Sequence, residues 1–228
     1  KDQGTIFRYS HHENTILRKI YIQLEVQNPP DKKELQEFID SITQLKVGKG
    51  KEERIYAGER NMVDLAAVVV KYYLHPLMKG SFTLKLVLPS VLNSSDFIKD
   101  KYSKPIYGTS EMPSCNLSSP KSWIEYGEDN VVKNPYKLLP SVSSYLDIDI
   151  DLDDMEIAET ESVANGGAAL MAYAKMQFSE GATLKALEQA LLTYCELDTL
   201  AMVFVWEYFY NEKYSHEEIN KTIIRGIC

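Results

Sequence analysis

The residues best suited to chemistry lie near the C-terminus, in the segment Tyr194-Cys195-Glu196-Leu197-Asp198. Tyr194 and Asp198 are four residues apart, so a helix places the phenol and the carboxylate on one face. The flanking residues are mostly apolar, and a carboxylate buried among them needs a partner or a metal ion. Such a pair can bind a divalent cation and orient a water molecule. The alternative is a helix surface on which Tyr194 is half-buried and Asp198 is solvated.

Two acids near the N-terminus are further candidates. Glu13 follows a predicted strand, where it either faces a site at the sheet edge or closes a Ser10-x-x-Glu13 capping box. Asp64 precedes an apolar helix, and it is either an N-cap or a functional acid. His11 and His12 are adjacent and cannot share one helix face, which argues against a paired zinc site.

A phosphate-binding turn is the third candidate. Lys79-Gly80-Ser81 lies where a helix is predicted to begin, and the free backbone amides of a helix N-terminus can bind phosphate. A plain capped turn is the alternative explanation.

The charge of the chain is concentrated in one segment. Of its 228 residues, with a net charge of -8, the stretch 146–161 contributes eight acids and no base. Without them the remaining acids and bases balance, so the broad basic surface typical of nucleic-acid-binding proteins is absent. A catalytic site can still obtain positive charge from metal ions. We expect this acidic run to be a mobile surface loop, or else an edge strand with one apolar face.

The composition indicates a globular protein of a reducing cytoplasm. Three scattered cysteines, Cys115, Cys195 and Cys228, argue against a disulfide framework. There is no apolar run long enough for a membrane span and no signal peptide. The chain begins with Lys1 rather than Met, so we expect it to be part of something longer.

Hydrophobic periodicity and turn residues predict the elements that position these side chains. The predicted strands cover residues 4–9 and 54–56, with 46–60 otherwise a loop. The predicted helices are 10–27, 32–43, 65–74, one from Ser81 to about 92 that Pro89 must bend or end, 165–178 and 182–212. Residues 93–164 have no sustained period and are predicted to be an insertion. The predicted domains are therefore 1–92 and 165–228, forming one core around this insertion.

These pieces resemble a known family. Tyr194-x-x-x-Asp198, followed by Thr-Leu-Ala-Met, resembles the third motif of the DEDDy 3′-5′ exonucleases, which have a ribonuclease H-like fold. The stretch 7–17, in which Glu13 precedes Ile16 and Leu17, resembles their second motif. Residues 79–81, 165–169 and 194–202 are also similar to an uncharacterised bacterial domain found in the C-terminal region of RecB-like nuclease proteins.

The resemblance implies an α/β fold of ribonuclease H-like type, apparently without its first strands, and a function. The function is metal-dependent hydrolysis of DNA or RNA from a 3′ end, in a protein fused to or associated with other nuclease domains. Asp198 and Glu13 would bind Mg²⁺ or Mn²⁺, and Tyr194 would orient the attacking water. Asp64 would support the ligands from behind, and Lys79 and Ser81 would contact single-stranded nucleic acid.

Two departures from the family pattern qualify that implication. The second-motif acid is Glu13 rather than Asp, and the D-x-E motif expected before residue 4 is absent. Asp154-x-Glu156 stands in the wrong order to replace it. We therefore expect this chain alone to be nearly inactive. The rival hypothesis is a degenerate, non-catalytic nuclease-fold module that binds nucleic acid or protein within a larger assembly.

Overall fold

The first of two compact units ends at Leu74, and its described residues form four short strands and three helices. The structure, a computed structural model, describes residues 4–48, 52–117, 119–142 and 166–225, and side chains as far as residue 212. The strands of this unit are β1 (Phe7–Arg8), β2 (Gln44–Val47), β3 (Arg54–Ala57) and β4 (Val63–Asp64), and its helices are α1 (His12–Gln27), α2 (Lys32–Ile42) and α3 (Leu65–Tyr72).

The strands pair as two small sheets. β1 and β4 are parallel, with Phe7 opposite Val63 and Arg8 opposite Asp64, while β2 and β3 form an antiparallel hairpin. Since parallel strands end at the same edge, Arg8 and Asp64 lie side by side where the chain leaves the sheet. The predicted strand at 54–56 is confirmed. The predicted loop 46–60 was wrong at its beginning, because Lys46 and Val47 belong to β2 and pair with Ile55 and Arg54 of β3.

The beginning of α1 differs from the prediction. Ser10 has a φ of 69°, and the helix begins at His12 after His11, which makes no side-chain cap. The Ser10-x-x-Glu13 capping box is therefore not formed, because a residue in left-handed backbone cannot occupy the extended N-cap position. Asp64, by contrast, caps α3 as predicted, since its side chain accepts hydrogen bonds from the amides of Ala66 and Ala67.

The second unit begins at His75 and is built on helices. They are α4 (Leu84–Ser94), α5 (Asp96–Tyr102), α6 (Gly166–Met176) and α7 (Gly181–Arg225), with short 3-10 turns at Pro76–Met78 and Pro135–Leu138. The helix predicted to start at Ser81 starts three residues later, after Thr83, and the Ser81 hydroxyl makes only long hydrogen bonds, with the Thr83 amide and hydroxyl.

A regular apolar stripe on α7 organises the core of this unit. Buried residues recur along it at alternating intervals of three and four, which keeps them on one face of the helix. They are Leu187, Ala190, Tyr194, Leu197, Ala201 and Phe204. α7 packs with α4, whose Val87, Leu88, Val91 and Leu92 are fully buried. Tyr194 thus occupies a core position on the stripe.

Carboxylates of α7 hold the segment 96–142 in place. Each accepts a hydrogen bond from a tyrosine hydroxyl of that segment, and the pairs are Tyr107 with Glu196, Tyr136 with Asp198 and Tyr102 with Glu207. Trp123 and Tyr136 are almost completely buried as well. The part of the predicted insertion that the structure describes therefore packs down within the second unit, whereas the acidic run 146–161 lies outside the described residues.

The mixed α/β class is confirmed, and the described residues are mostly helical. Their strands form two two-stranded sheets, so the ribonuclease H-like assignment stays a prediction. Among the described helices, none combines the length and the apolar character needed to cross a membrane.

Candidate functional site

Tyr194 and Asp198 lie together on α7, as their spacing predicts. The Tyr194 ring is buried, whereas Asp198 is half-buried at the margin of the apolar stripe. Burial raises the pKa of Tyr194, and the charge of Asp198 and a hydrogen bond to its carboxylate raise it further. At neutral pH this position therefore carries a neutral phenol beside a carboxylate.

A second tyrosine completes the surroundings of Asp198. The Tyr136 hydroxyl donates a hydrogen bond to Asp198 Oδ1, and its ring lies 5.9 Å from the Tyr194 ring, centroid to centroid. Burial raises the pKa of Tyr136 most, followed by the charge of Asp198 and the hydrogen bond to it. Asp198 thus interacts with two phenols, one from its own helix and one from the 3-10 turn.

Lys85 of α4 brings a positive charge to this cluster. Its Nζ lies 4.8 Å from the centroid of the Tyr194 ring and 5.2 Å from that of Tyr136, which are cation-π distances. Burial lowers the pKa of Lys85, and the charge of Asp198 offsets part of that shift. We call Lys85, Tyr136, Tyr194 and Asp198 the Asp198 cluster.

A missing helix hydrogen bond positions Tyr136 in this cluster. Pro89 has no amide hydrogen, so it cannot donate to the carbonyl of Lys85 four residues earlier in α4. Asn134 Nδ2 donates to that carbonyl instead, at 3.3 Å. Asn134 Oδ1 also accepts from the Tyr136 amide at 3.2 Å, which caps the 3-10 turn. The turn that carries Tyr136 is thereby fixed to the backbone of Lys85.

Glu196, two residues before Asp198, binds side chains of the loop that packs against α7. It accepts hydrogen bonds of 2.5 Å from Tyr107, Ser114 and Asn116. Burial alone would raise the pKa of Glu196, but these hydrogen bonds outweigh it and lower the pKa. All three donors belong to the loop, so Glu196 fastens the loop to α7.

In the first unit, Asp64 is also fully engaged. Its Oδ1 accepts from the amides of Ser10, Ala66 and Ala67, and its Oδ2 lies 3.4 Å from a guanidinium nitrogen of the buried Arg8. A carboxylate offers about four acceptor positions, so Asp64 has little capacity left for a ligand. It joins the end of β1 to the beginning of α3.

Glu13 has the opposite environment. Its Oε2 is inaccessible to solvent and has no hydrogen-bond partner among the described residues. Because the capping box is not formed, the structural explanation for this acid no longer applies. A buried carboxylate oxygen without a partner is costly, and a bound cation would satisfy it.

The predicted phosphate-binding turn lies in the second unit. Lys79 has a φ of 51° and Gly80 a φ of 76°, and both residues are exposed. Ser81 is half-buried and its hydroxyl hydrogen-bonds within the turn to Thr83. The nucleic-acid contacts of Lys79 and Ser81 stay a prediction.

Carboxylate oxygens suit a hard divalent cation, and Asp198, Glu13 and Asp64 each offer them within their own unit. Of these, Glu13 carries the buried oxygen without a partner. Glu13 and Asp64 belong to the first unit and Asp198 to the second. In the part of the chain that the structure describes, no three His, Cys, Asp or Glu side chains are grouped for a metal ion.

Comparisons of this chain with protein-family models, with characterised proteins and with solved structures find no match.

Sequence reasoning missed two residues of the Asp198 cluster. Lys85 was not singled out because a lysine in an amphipathic helix is normally solvated. Tyr136 was predicted only to pack. The signal that could have found it is Asn134-Pro135-Tyr136, an N-cap followed by proline, which marks the beginning of a helical turn.

The link between Asn134 and Pro89 can be tested by a double-mutant cycle. We expect Asn134→Ala to lower the free energy of unfolding by about 1–2 kcal/mol, because it removes a cap and a backbone partner. In a Pro89→Ala background residue 89 can donate to the Lys85 carbonyl, so the same change should cost less. Urea unfolding of the four proteins measures the coupling. Equal costs in both backgrounds would contradict the link.

The buried tyrosine predicts a dependence of stability on alkaline pH. The pKa of Tyr136 is raised in the folded state. Its contribution to the free energy of unfolding is therefore fully present below the unfolded-state pKa of about 10, and it is lost as the pH rises toward the folded-state pKa. Above about pH 10 the free energy of unfolding should fall, and Tyr136→Phe should remove up to about 1.4 kcal/mol per pH unit from that slope.

Urea unfolding at successive pH values gives the slope for each protein. The matched control is Tyr173→Phe, since Tyr173 in α6 is 58% exposed. If Tyr136→Phe leaves the slope of the unfolding free energy against pH unchanged, the pKa of Tyr136 is not raised in the folded state.

Proposed function

We propose that this protein is a metal-dependent 3′-5′ exonuclease of ribonuclease H-like type that hydrolyses phosphodiester bonds of single-stranded DNA or RNA. The observation that carries the proposal is the pairing of Tyr194 and Asp198 on one face of α7. Sequence spacing and the family resemblance both lead to this pair, and the two side chains interact.

Tyr194 would orient water rather than remove its proton. A tyrosine hydroxyl is already protonated at neutral pH, and the raised pKa of Tyr194 favours that form further, so the phenol is available as a hydrogen-bonding group and not as a base. The buried ring is fixed in the stripe of α7, which limits the movement of the hydroxyl. An attacking water held by this hydroxyl would lie next to the carboxylate of Asp198.

Carboxylates would bind the cation. Asp198 is the proposed ligand in the second unit and Glu13 the proposed ligand in the first, while Asp64, with its acceptors occupied by Ser10 and α3, is proposed to support the junction of β1 and α3. Mg²⁺ or Mn²⁺ bound by such ligands lowers the pKa of a bound water and neutralises charge on phosphoryl oxygens.

A second candidate function is a non-catalytic module with a degenerate nuclease fold. One observation favours it: the Tyr136–Asp198 hydrogen bond is of the same kind as the two that fasten the segment 96–142 at Glu196 and Glu207. In this alternative Asp198 is an anchoring carboxylate. The two candidates differ in the effect of removing the Tyr194 hydroxyl, which anchors nothing in that segment.

Nuclease assays on the protein at its full natural length separate these candidates. With Mg²⁺ or Mn²⁺ we expect release of label from a 3′-labelled single-stranded oligonucleotide. Asp198→Asn should abolish activity, because it removes a ligand charge. Tyr194→Phe should lower kcat by about 10²-fold or more while the unfolding midpoint changes little, because the ring stays in the core.

Glu196→Gln provides the matched control. It removes a carboxylate charge two residues away on the same helix, so it should affect stability more than kcat. Full activity in Asp198→Asn, or an active Tyr194→Phe, would contradict the proposed mechanism. Oligonucleotide binding without any hydrolysis would favour the non-catalytic module.

A further inference from the structure

Lys85 is the cationic residue of the Asp198 cluster, and its ammonium group has no direct ion-pair partner among the described residues. Its Nζ lies over two tyrosine rings, and among the described residues it makes no ion pair within 4 Å. Other half-buried lysines of the same unit have direct oxygen partners: Lys101 bonds Glu207 at 2.6 Å, and Lys121 bonds the carbonyl of Leu138. Lys85 is half-buried without such a partner.

Cation-π contacts with the tyrosine rings do not provide the hydrogen-bond acceptors that an ammonium group needs. A lysine has three N–H donors, and a cation-π contact leaves them directed elsewhere. The two rings exclude water from part of the surroundings, which strengthens the attraction between Lys85 and an anion. Asp198 supplies some negative charge, but its Oδ1 already accepts the Tyr136 hydroxyl.

The backbone around Lys85 is held in place by other contacts. Its carbonyl accepts from Asn134, whose side chain also fixes the turn of Tyr136, and the neighbouring Val87 and Leu88 are fully buried. These contacts fix the backbone that carries Lys85, and its ammonium lies over the rings of Tyr194 and Tyr136 without a direct ion pair among the described residues. This is the arrangement expected of a preorganised binding group rather than of a surface lysine.

We propose that Lys85 binds a phosphodiester group of single-stranded nucleic acid at the Tyr194–Asp198 pair. This inference rests on the proposed function and assigns the anionic contact of that same site. The lysine would neutralise the charge of one phosphate beside the neutral Tyr194 hydroxyl. It adds a contact to those predicted for Lys79 and Ser81.

The test measures binding separately from cleavage. Fluorescence anisotropy of a labelled single-stranded oligonucleotide, with EDTA present to prevent hydrolysis, gives the Kd at a series of salt concentrations for the protein at its full natural length. The variants are Lys85→Met, Lys85→Arg and the control Lys104→Met. Lys104 is an exposed lysine of the same unit, so its substitution removes the same charge outside the cluster.

Loss of one phosphate contact should reduce the slope of log K against log salt by about 0.7. The ratio of the Lys85→Met Kd to the wild-type Kd should therefore be about 2.6-fold smaller at about 200 mM salt than at about 50 mM. Lys85→Arg should keep the wild-type slope, since the charge remains, and Lys104→Met should also keep it. A structural role for Lys85 would change the thermal midpoint but not this slope.

Three results would overturn the inference. Wild-type binding with an unchanged slope in Lys85→Met refutes the phosphate contact and leaves the proposed function intact. An equal loss of slope in Lys104→Met shows a general effect of charge and refutes a specific site. No binding of the oligonucleotide by the wild type refutes both the inference and the nucleic-acid function on which it rests.

Discussion

Buried phenols need hydrogen-bond acceptors, and in the second unit α7 supplies them. A tyrosine ring adds apolar contact area to a core, but its hydroxyl is costly to bury without a partner. Three carboxylates on α7 meet this requirement for three tyrosines of the segment 96–142, and that segment contains little regular structure of its own. These side-chain hydrogen bonds thus attach the irregular segment to α7, as backbone hydrogen bonds attach one strand of a sheet to the next. The core depends on both the apolar stripe of α7 and the acids beside it.

This constraint also explains why a functional acid can be difficult to distinguish from an anchoring one. Glu196 and Glu207 accept tyrosine hydroxyls just as Asp198 does, and both have further partners that belong to the fold. Asp198 differs in that the hydroxyl of Tyr194 and the cation of Lys85 are among its neighbours. These two groups can interact with water and with an anion. The case for chemistry at Asp198 therefore lies in the neighbours that its structural role does not require.

The sequence predicts elements whose cause is local, and it fails where the cause is a distant partner. The helix 182–212, the shared face of Tyr194 and Asp198, and the cap at Asp64 were predicted, because helical period and N-cap chemistry lie within a few residues. Ser10 was assigned a cap that the strand pairing of Arg8 with Asp64 prevents, since Asp64 instead accepts the Ser10 amide. Similarly, Pro89 was expected to bend or end α4. The helix continues to Ser94, and Asn134, 45 residues later, satisfies the carbonyl that the proline leaves free.

The two candidate acids of the first unit, Asp64 and Glu13, differ in how many hydrogen-bond donors the fold provides for them. Asp64 has three backbone donors and a guanidinium, so it completes the junction of β1 and α3 without any ligand. Glu13 has a buried oxygen that no described residue satisfies, although it stands only three residues after Ser10. A buried carboxyl oxygen without a donor carries an energetic cost, whereas the Asp64 carboxylate has four donors. The unsatisfied oxygen makes Glu13 a stronger ligand candidate than Asp64, whose acceptor positions are occupied.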